Sequence, residues 1–273
     1  MTASNSVAMK EPTREQKLEQ LARSWDASAH GYDAYFVPRF AAWVEDAVGA
    51  LDRPLPEGPI IVPCCGTGPE LVALAKGHPN REIIGIDLSP GMAELARLRA
   101  RAFSNVSVVV ADASITRHWG NCAAVLSVFG LQQLPEPVLG LRAWAAAVAD
   151  GGVVTVVYWP EIVETEGPFA WIRQSLVGRA PMSFAWEAGL AAAIADGGCS
   201  LVSDEFVSHD MRHANAEEFW NACLDSGPGR SLACRGDAFM REVREAYFSL
   251  APLGPLHHHP RARHLVALRG ADL

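Results

Sequence analysis

The chain has no apolar run long enough to cross a membrane. Its longest, Val153-Val154-Thr155-Val156-Val157-Tyr158-Trp159, is strand-length, far short of the ~20 residues a spanning helix needs. The six cysteines, Cys64, Cys65, Cys122, Cys199, Cys223 and Cys234, show no paired spacing, which excludes a disulfide framework or a zinc cluster and leaves reduced thiols. The first residues, with Lys10, Glu11, Arg14, Glu15 and Lys17, lack the apolar core of a secretory signal, so the expected location is the cytoplasm. Clustered cations are missing too. With 23 basic against 31 acidic residues and a net charge of −8, a nucleic-acid partner is not expected. Arg261, Arg263 and Arg269 are interrupted by apolar residues and read as the flanks of a last strand, His264 to Leu268. There is no internal repeat and no low-complexity tract. What the chain does have is 273 residues, 49% of them hydrophobic, enough for one substantial core.

Periodicity divides that material. Residues 1–14 are polar and expected to be mobile. Residues 15–52 read as helical: Leu18, Leu21 and Trp25 recur at near-helical spacing, followed by Ala29, Tyr32, Tyr35 and Phe36, and then by an amphipathic stretch from Phe40 to Leu51. The segment Arg53-Pro54-Leu55-Pro56-Glu57-Gly58-Pro59 ends it and leads into residues 53–273, where strands and helices alternate. Strands are expected at Ile60–Val62, Ile83–Ile86, Val106–Val110, Ala123–Val128 and Val153–Tyr158. Helices start at Pro69, after Ser89, and at Leu139. Residues 160–189, rich in aromatics and proline, suit an insertion over the sheet's carboxyl edge. Helices at 190–196, 216–224 and 236–250 and strands at 204–209 and 264–268 complete the pattern. It specifies an α/β fold: a doubly wound, mostly parallel, Rossmann-like sheet of about seven strands.

The most informative stretch is Ile60-Ile61-Val62-Pro63-Cys64-Cys65-Gly66-Thr67-Gly68-Pro69-Glu70, followed by Ile83-Ile84-Gly85-Ile86-Asp87. Strand, glycine turn, helix and a second strand ending in a carboxylate form a nucleotide-binding half. A Gly-x-Gly turn alone is common in α/β enzymes. Asp87, nineteen residues after Gly68 at a strand end, adds a group able to accept both ribose hydroxyls of an adenosine. A dinucleotide would set its pyrophosphate on the first helix's N-terminus, but Pro69 removes a donor there and Glu70 adds a repelling charge. The third glycine of the dinucleotide fingerprint is also missing. The position suits a ligand without phosphate and with positive character.

On these residues the chain resembles the class I S-adenosylmethionine-dependent methyltransferases of the small-molecule branch, closely over about residues 20–160 and in outline beyond. The resemblance implies that Cys64, Cys65, Gly66, Thr67 and Gly68 lie along the methionine part of S-adenosylmethionine and that Asp87 binds the ribose. It further implies that Leu88 and Met92 cover the adenine, that Asp112 and Ala113 reach its edge, and that Ser127 holds the amino group by its backbone. Trp25-Asp26-x-x-Ala29-x-x-Tyr32-Asp33 is similar to the family's N-terminal lid. Where the family has an acid in the first strand and a glycine two before Gly66, this chain has Val62 and Cys64, so Tyr32, Glu70 or backbone carbonyls are expected to take over the ammonium contact.

Methyl transfer needs an acceptor nucleophile held in line in a dry pocket, and a base only if the acceptor must lose a proton. Glu161, His209 and His213, with Glu164 and Glu166, are the candidate bases; each also reads as a surface or strand-flanking group. Trp159, Phe169, Trp171, Phe184 and Trp186 could wall an apolar acceptor pocket or pack the core. His257-His258-His259-Pro260 reads as a loop, and Cys64 and Cys65, adjacent, point to opposite faces, so no metal is expected. The expected partner is a small-molecule acceptor, with no nucleic acid and no membrane; its identity, the atom methylated and the oligomeric state stay open. A nicotinamide-dependent oxidoreductase and a non-catalytic S-adenosylmethionine-binding protein are the alternatives.

Overall fold

The computed structural model describes residues 13–115, 119–180 and 183–270. The chain opens with two helices, α1 (Arg14–Arg39) and α2 (Ala41–Gly49). Then strand and helix alternate: β1 (Ile60–Pro63), α3 (Pro69–Gly77), β2 (Ile83–Asp87), α4 (Pro90–Ala100), β3 (Val106–Val110), β4 (Cys122–Val128), α5 (Pro137–Ala147) and β5 (Val148–Tyr158). After β5 come α6 (Pro168–Leu176), α7 (Leu190–Asp196) and β6 (Cys199–Ser208). A last group comprises β7 (Met211–His213), α8 (Ala216–Leu224), α9 (Gly227–Ala233), α10 (Asp237–Leu250), β8 (Leu256–His258) and β9 (Arg261–Arg269).

The main sheet has seven strands in the order β3-β2-β1-β4-β5-β9-β6. β1 to β5 run parallel, and β9 is antiparallel to both β5 and β6. The chain therefore builds β1, β2 and β3 outward on one side, then returns to lay β4 against the other side of β1. That reversal leaves a crevice above the carboxyl ends of β1 and β4, where ligands of open α/β sheets bind. Every residue of β1 and of β4 is buried, as expected for parallel strands covered on both faces. Strand alternation divides them between two cores: Ile60 and Val62 pack with Trp43, Leu71 and Leu74 on one face, and Ile61 packs with Leu141 and Trp144 on the other. Trp43 and Trp144 are fully buried, one on each side. The Trp144 indole also donates to the Ala113 carbonyl at 2.8 Å, which fixes the turn after β3 at the crevice.

Several boundaries differ from expectation. Thr13 and Arg14 belong to α1 rather than to a mobile terminus: Thr13 caps the helix in a capping box with Gln16. The rest of that terminus, residues 1–12, lies outside the described residues. The broken helical pattern from Glu15 to Phe36 is one 26-residue helix, because Pro38 falls near its end, where few hydrogen bonds remain to lose. The Asp150-Gly151-Gly152 turn is absorbed into β5 at an irregularity of its pairing with β4. The His257–His259 run is β8 and its exit rather than a loop, paired with β7 in a second, two-stranded sheet. α6 follows β5, and a second segment, from β7 through β8, is inserted between β6 and β9 and carries α8, α9 and α10.

Candidate functional site

The crevice is a cleft of ≈ 860 Å³. Its floor is the turn between β1 and α3. Cys64 (φ 55°), Gly66 (φ 51°) and Gly68 (φ 76°) all take left-handed backbone angles, so the loop folds back on itself between strand and helix. A Cβ at Gly66 would meet no protein atom; it would project into the open cleft. The Gly66 amide donates to Asp87 Oδ2 at 2.8 Å and the Ser89 amide to Oδ1 at 2.9 Å, so the carboxylate ending β2 ties the loop to the start of α4. Burial pushes the Asp87 carboxyl up to about 6, against the lowering effect of the Ser89 and Gly66 amides.

Ten of the residues assigned to the cofactor from sequence line this cleft. Cys64, Cys65, Gly66 and Thr67 form the loop wall; Asp87, Leu88 and Met92 follow from β2 and α4. Asp112 and Ala113 close one end, and Tyr32 descends from α1. Gly68 is not on the wall; it is the N-cap residue of α3. Ser127 is not there either. It is wholly buried, its hydroxyl donating to the Pro63 carbonyl at 3.0 Å, and the wall above β4 is formed by Val128, Phe129 and Gly130. β4 ends at Val128, as the sequence suggested, and the cleft wall begins at that residue, one position after Ser127.

Leu18, Leu21 and Trp25 also reach the cleft from α1. Trp25 belongs to the stretch whose resemblance implied a lid, whereas Leu18 and Leu21 were legible as a helical stripe but not as part of the cleft. The W-D-x-x-A-x-x-Y-D stretch shows how that is achieved. Trp25 and Tyr32, seven residues apart, share the cleft face and meet edge to face at 5.2 Å. The next positions, Asp26 and Asp33, face α4: Asp26 accepts from the Ser89 hydroxyl and, at 2.8 Å, from the Gly91 amide, and Asp33 accepts from Arg99 at 2.6 Å. Arg99 also donates to the Thr67 hydroxyl at 3.0 Å, so lid and loop share one guanidinium. At the other end Arg14 donates to Asp112 at 2.6 Å. Burial would raise the Asp112 carboxyl, but the Ser114 hydroxyl and amide and the Arg14 guanidinium together hold it below the ordinary range.

The charge of the wall decides what it can hold. Among the described residues it carries Glu70, Asp87 and Asp112 and no lysine, arginine or histidine. Glu70, in the first turn of α3 just after Pro69, is buried, and its Oε2 has no hydrogen-bond partner among the described residues. Burial pushes its carboxyl up to about 7. Tyr32 is raised as well, by burial and then by the Glu70 charge, so its hydroxyl stays protonated.

Beside the cleft lies a second chamber of ≈ 950 Å³, sharing Trp25, Tyr32, Phe40, Phe129 and Gln133 with it. Its far wall comes from α8, α9 and α10, and among the described residues none of its lining side chains is charged. α9 approaches α1 so closely that a Cβ at Gly227 would fall 2.4 Å from the Trp25 ring. An outer cavity of ≈ 1040 Å³ adjoins the chamber, the two sharing Trp159 and Phe169. Phe184 and Trp186 line the outer cavity alone, whereas Trp171 is turned away onto Tyr247. Trp159 stacks on Phe129 at 4.1 Å and 8°.

None of the candidate bases faces the cofactor cleft. Glu161 is at the mouth of the outer cavity, exposed. His209 pairs with Asp46 at 2.6 Å, its ring against Trp43. His213 is buried in a chain of contacts: Tyr35 Oη lies 2.5 Å from its Nδ1, its Nε2 is 2.8 Å from His258 Nε2, and His258 Nδ1 is 2.7 Å from Glu164 Oε2. Running donors from Tyr35 to His213 to His258 to an ionised Glu164 satisfies every group with both rings neutral. Burial and the neighbouring His258 depress His213 to about 3. This chain joins α1 to the inserted hairpin. It ties these elements together, with His213 engaged on both ring nitrogens and away from the cofactor cleft. On the surface, Asp210, His257 and His259 each place one donor atom within 4.8 Å of the others, and these are the described residues that could hold a metal ion.

Residues 60–152 match a family model described as a methyltransferase domain. Over 93 residues the chain is 32% identical to demethylmenaquinone methyltransferase of Staphylococcus aureus, a match covering 33% of this chain and 39% of that protein. The chain thus spans well under half the length of the curated relatives it matches. Among solved structures, geranyl diphosphate C-methyltransferase from Streptomyces coelicolor A3(2), in complex with Mg²⁺, geranyl diphosphate and S-adenosyl-L-homocysteine, superposes with a TM-score of 0.56 at 15% identity, over 93% of this chain and 98% of that one. The [4+2]-cyclase SpnF superposes with a TM-score of 0.58 at 16% identity, over 96% and 98%. Both are likenesses of fold.

Proposed function

We propose that this chain, which has the class I methyltransferase fold and a methyltransferase domain at residues 60–152, transfers the methyl group of S-adenosylmethionine to a small organic acceptor. The observation that carries the reading is the charge of the cleft: among the described residues, three carboxylates and no cation on its wall. A pyrophosphate there would face Asp87 and Glu70 without a balancing charge and would find Pro69 where a helix normally offers an amide. A ligand with a sulfonium and an ammonium gains from the same wall.

The residues present fit that ligand. Glu70 holds an unpartnered buried oxygen, which a bound ammonium satisfies, and so replaces the acid missing at Val62. Asp87, at the end of β2, is the ribose acceptor; each of its oxygens already accepting an amide keeps a lone pair for a hydroxyl. Leu88 and Met92, with Asp112 and Ala113, form the adenine end, and Leu18, Leu21 and Trp25 shut out water above it. S-adenosylmethionine supplies an electrophilic methyl carbon, and the protein's share is positioning. Tyr32, Phe129 and Gln133, common to cleft and chamber, mark where acceptor and methyl donor meet. With no carboxylate or imidazole in the chamber lining, the acceptor atom is nucleophilic without help from a charged base.

The acceptor is a metabolite rather than a nucleic acid, since the net charge is −8 and the chamber bears no cation. No described helix is long and apolar enough to cross a membrane. The free thiols of Cys64 and Cys65 in the loop suit the cytoplasm. Calorimetry with S-adenosylmethionine and with NAD tests the reading: binding of the first alone is expected, and binding of NAD alone would overturn it. Methyl transfer into a metabolite extract then separates an enzyme from a non-catalytic binder.

A further inference from the structure

The acceptor side carries one more piece of chemistry. Arg173, on α6, lines the outer cavity. Its Nε is sealed from solvent without a partner, and the guanidinium makes no hydrogen bond or ion pair among the described residues. A guanidinium does not escape by losing its proton, so an unpartnered buried N–H on it is a strong call for an anionic oxygen. The two carboxylates of the same cavity do not answer it. Glu164 is committed to His258 and to the Phe169 amide, at 2.7 and 2.6 Å, and Glu161 is exposed and makes no ion pair. Inward from Arg173 the surface turns apolar: Trp159, Phe169, Ile172 and Leu176 line both the outer cavity and the chamber that leads to Tyr32 and Phe129.

We propose that the acceptor of this enzyme is an amphiphile with an apolar body and a single anionic head, seated with the body in the aromatic chamber and the head on Arg173. The proposal rests on the methyltransferase reading, since it places the acceptor relative to the cofactor cleft. A diphosphate head does not suit the site: among the described residues Arg173 is the only cation in the lining of either cavity, and with Glu164 already paired there is no couple of free carboxylates there to hold a bridging divalent ion. An uncharged acceptor would leave the guanidinium unanswered, and a cationic one would be repelled by it.

The test compares three ten-carbon probes, decanoate, decanol and decylammonium, by calorimetry on the full chain saturated with S-adenosylhomocysteine. Decanoate is expected to bind at least ~10-fold more tightly than decanol, and decylammonium more weakly than either. Arg173→Gln is expected to reduce the decanoate preference to ~2-fold or less with decanol affinity unchanged, and Arg173→Lys to keep part of it. Equal affinities for decanoate and decanol in the unmodified protein, or a preference that survives Arg173→Gln, would overturn the proposal. Failure of S-adenosylhomocysteine itself to bind would instead sink the methyltransferase reading.

Discussion

Arg14 donates to Asp112 at 2.6 Å across 98 residues of sequence, so the first residue of α1 is held by the turn after β3 at the far end of the cleft. The same carboxylate is the adenine-edge group of the proposed cofactor site. The lid is thus fastened to the floor by a residue of the binding surface.

Loosening that fastening should act on rates more than on stability. The pair is partly exposed, and exposed pairs contribute about 0–1 kcal/mol, so Arg14→Gln is expected to change the melting temperature by no more than a few degrees. Its effect is expected in the dissociation of S-adenosylmethionine, faster by several-fold in stopped-flow measurements. An unchanged dissociation rate would show that α1 does not gate the cleft.

Cofactor affinity should depend on pH through Glu70. The carboxyl titrates at about 7 in the empty site and must be ionised to meet an ammonium, so affinity is expected to fall about 10-fold between pH 8 and pH 6. Below about 6 Asp87 adds to the loss. Glu70→Gln is expected to bind weakly at pH 8 and to flatten the profile over this range, as read by calorimetry across pH.

Stability of the unliganded protein should move the opposite way. Glu70, at 4.5 in an unfolded chain and about 7 when folded, binds more protons in the folded state between those values. The contribution is fully present below 4.5 and lost as pH rises through 7; from Glu70 alone it amounts to about 3 kcal/mol. Asp87 acts in the same sense between 3.8 and about 6. Urea unfolding of the apo-protein at pH 5.5 and pH 8 should show a smaller loss with rising pH in Glu70→Gln.

Gly66→Val should abolish cofactor binding while leaving a folded protein. A Cβ there meets no protein atom within 4 Å, so the main folding penalty is that of a left-handed angle, about 1–2 kcal/mol. Retained binding with unchanged circular dichroism would place the cofactor elsewhere.

Tyr35→Phe should destabilise without touching the cleft. It leaves His213 Nδ1 without its donor inside a buried network, a loss of about 1–3 kcal/mol by thermal or chemical unfolding. S-adenosylmethionine affinity is expected to stay within about 2-fold. A drop in turnover at undiminished affinity would restore His213 to the catalytic candidates.

How far the site could be read in advance follows the range of the interactions that build it. Ile60 to Asp87 declared its strand, loop, helix and strand because buried parallel strands and glycine turns are set by neighbours within a few residues, and Cys64 to Thr67 and Asp87 line the cleft. Ser127 and Val128 show the limit of that reading: adjacent positions at the end of β4 separate a side chain sealed beneath the sheet edge from a residue that walls the cleft. Which of them meets the cleft follows from how β4 lies between β1 and β5, not from its own residues.

The sequence by itself determined the doubly wound half, the poor fit of a phosphate beside Pro69 and Glu70, and the helical nature of α1, because periodicity and local charge are properties of short segments. Only the tertiary structure decided what those segments face. Amphipathic helices such as α8, and α9 and α10 beside it, announce at most that they need a partner. That they cross from β6 back over α1, roof an uncharged chamber beside Tyr32 and leave Arg173 unpaired at its outer side depends on contacts between residues more than a hundred positions apart. A side chain's own neighbourhood in the sequence fixes which way it prefers to turn; chain closure over such distances fixes what is there when it does.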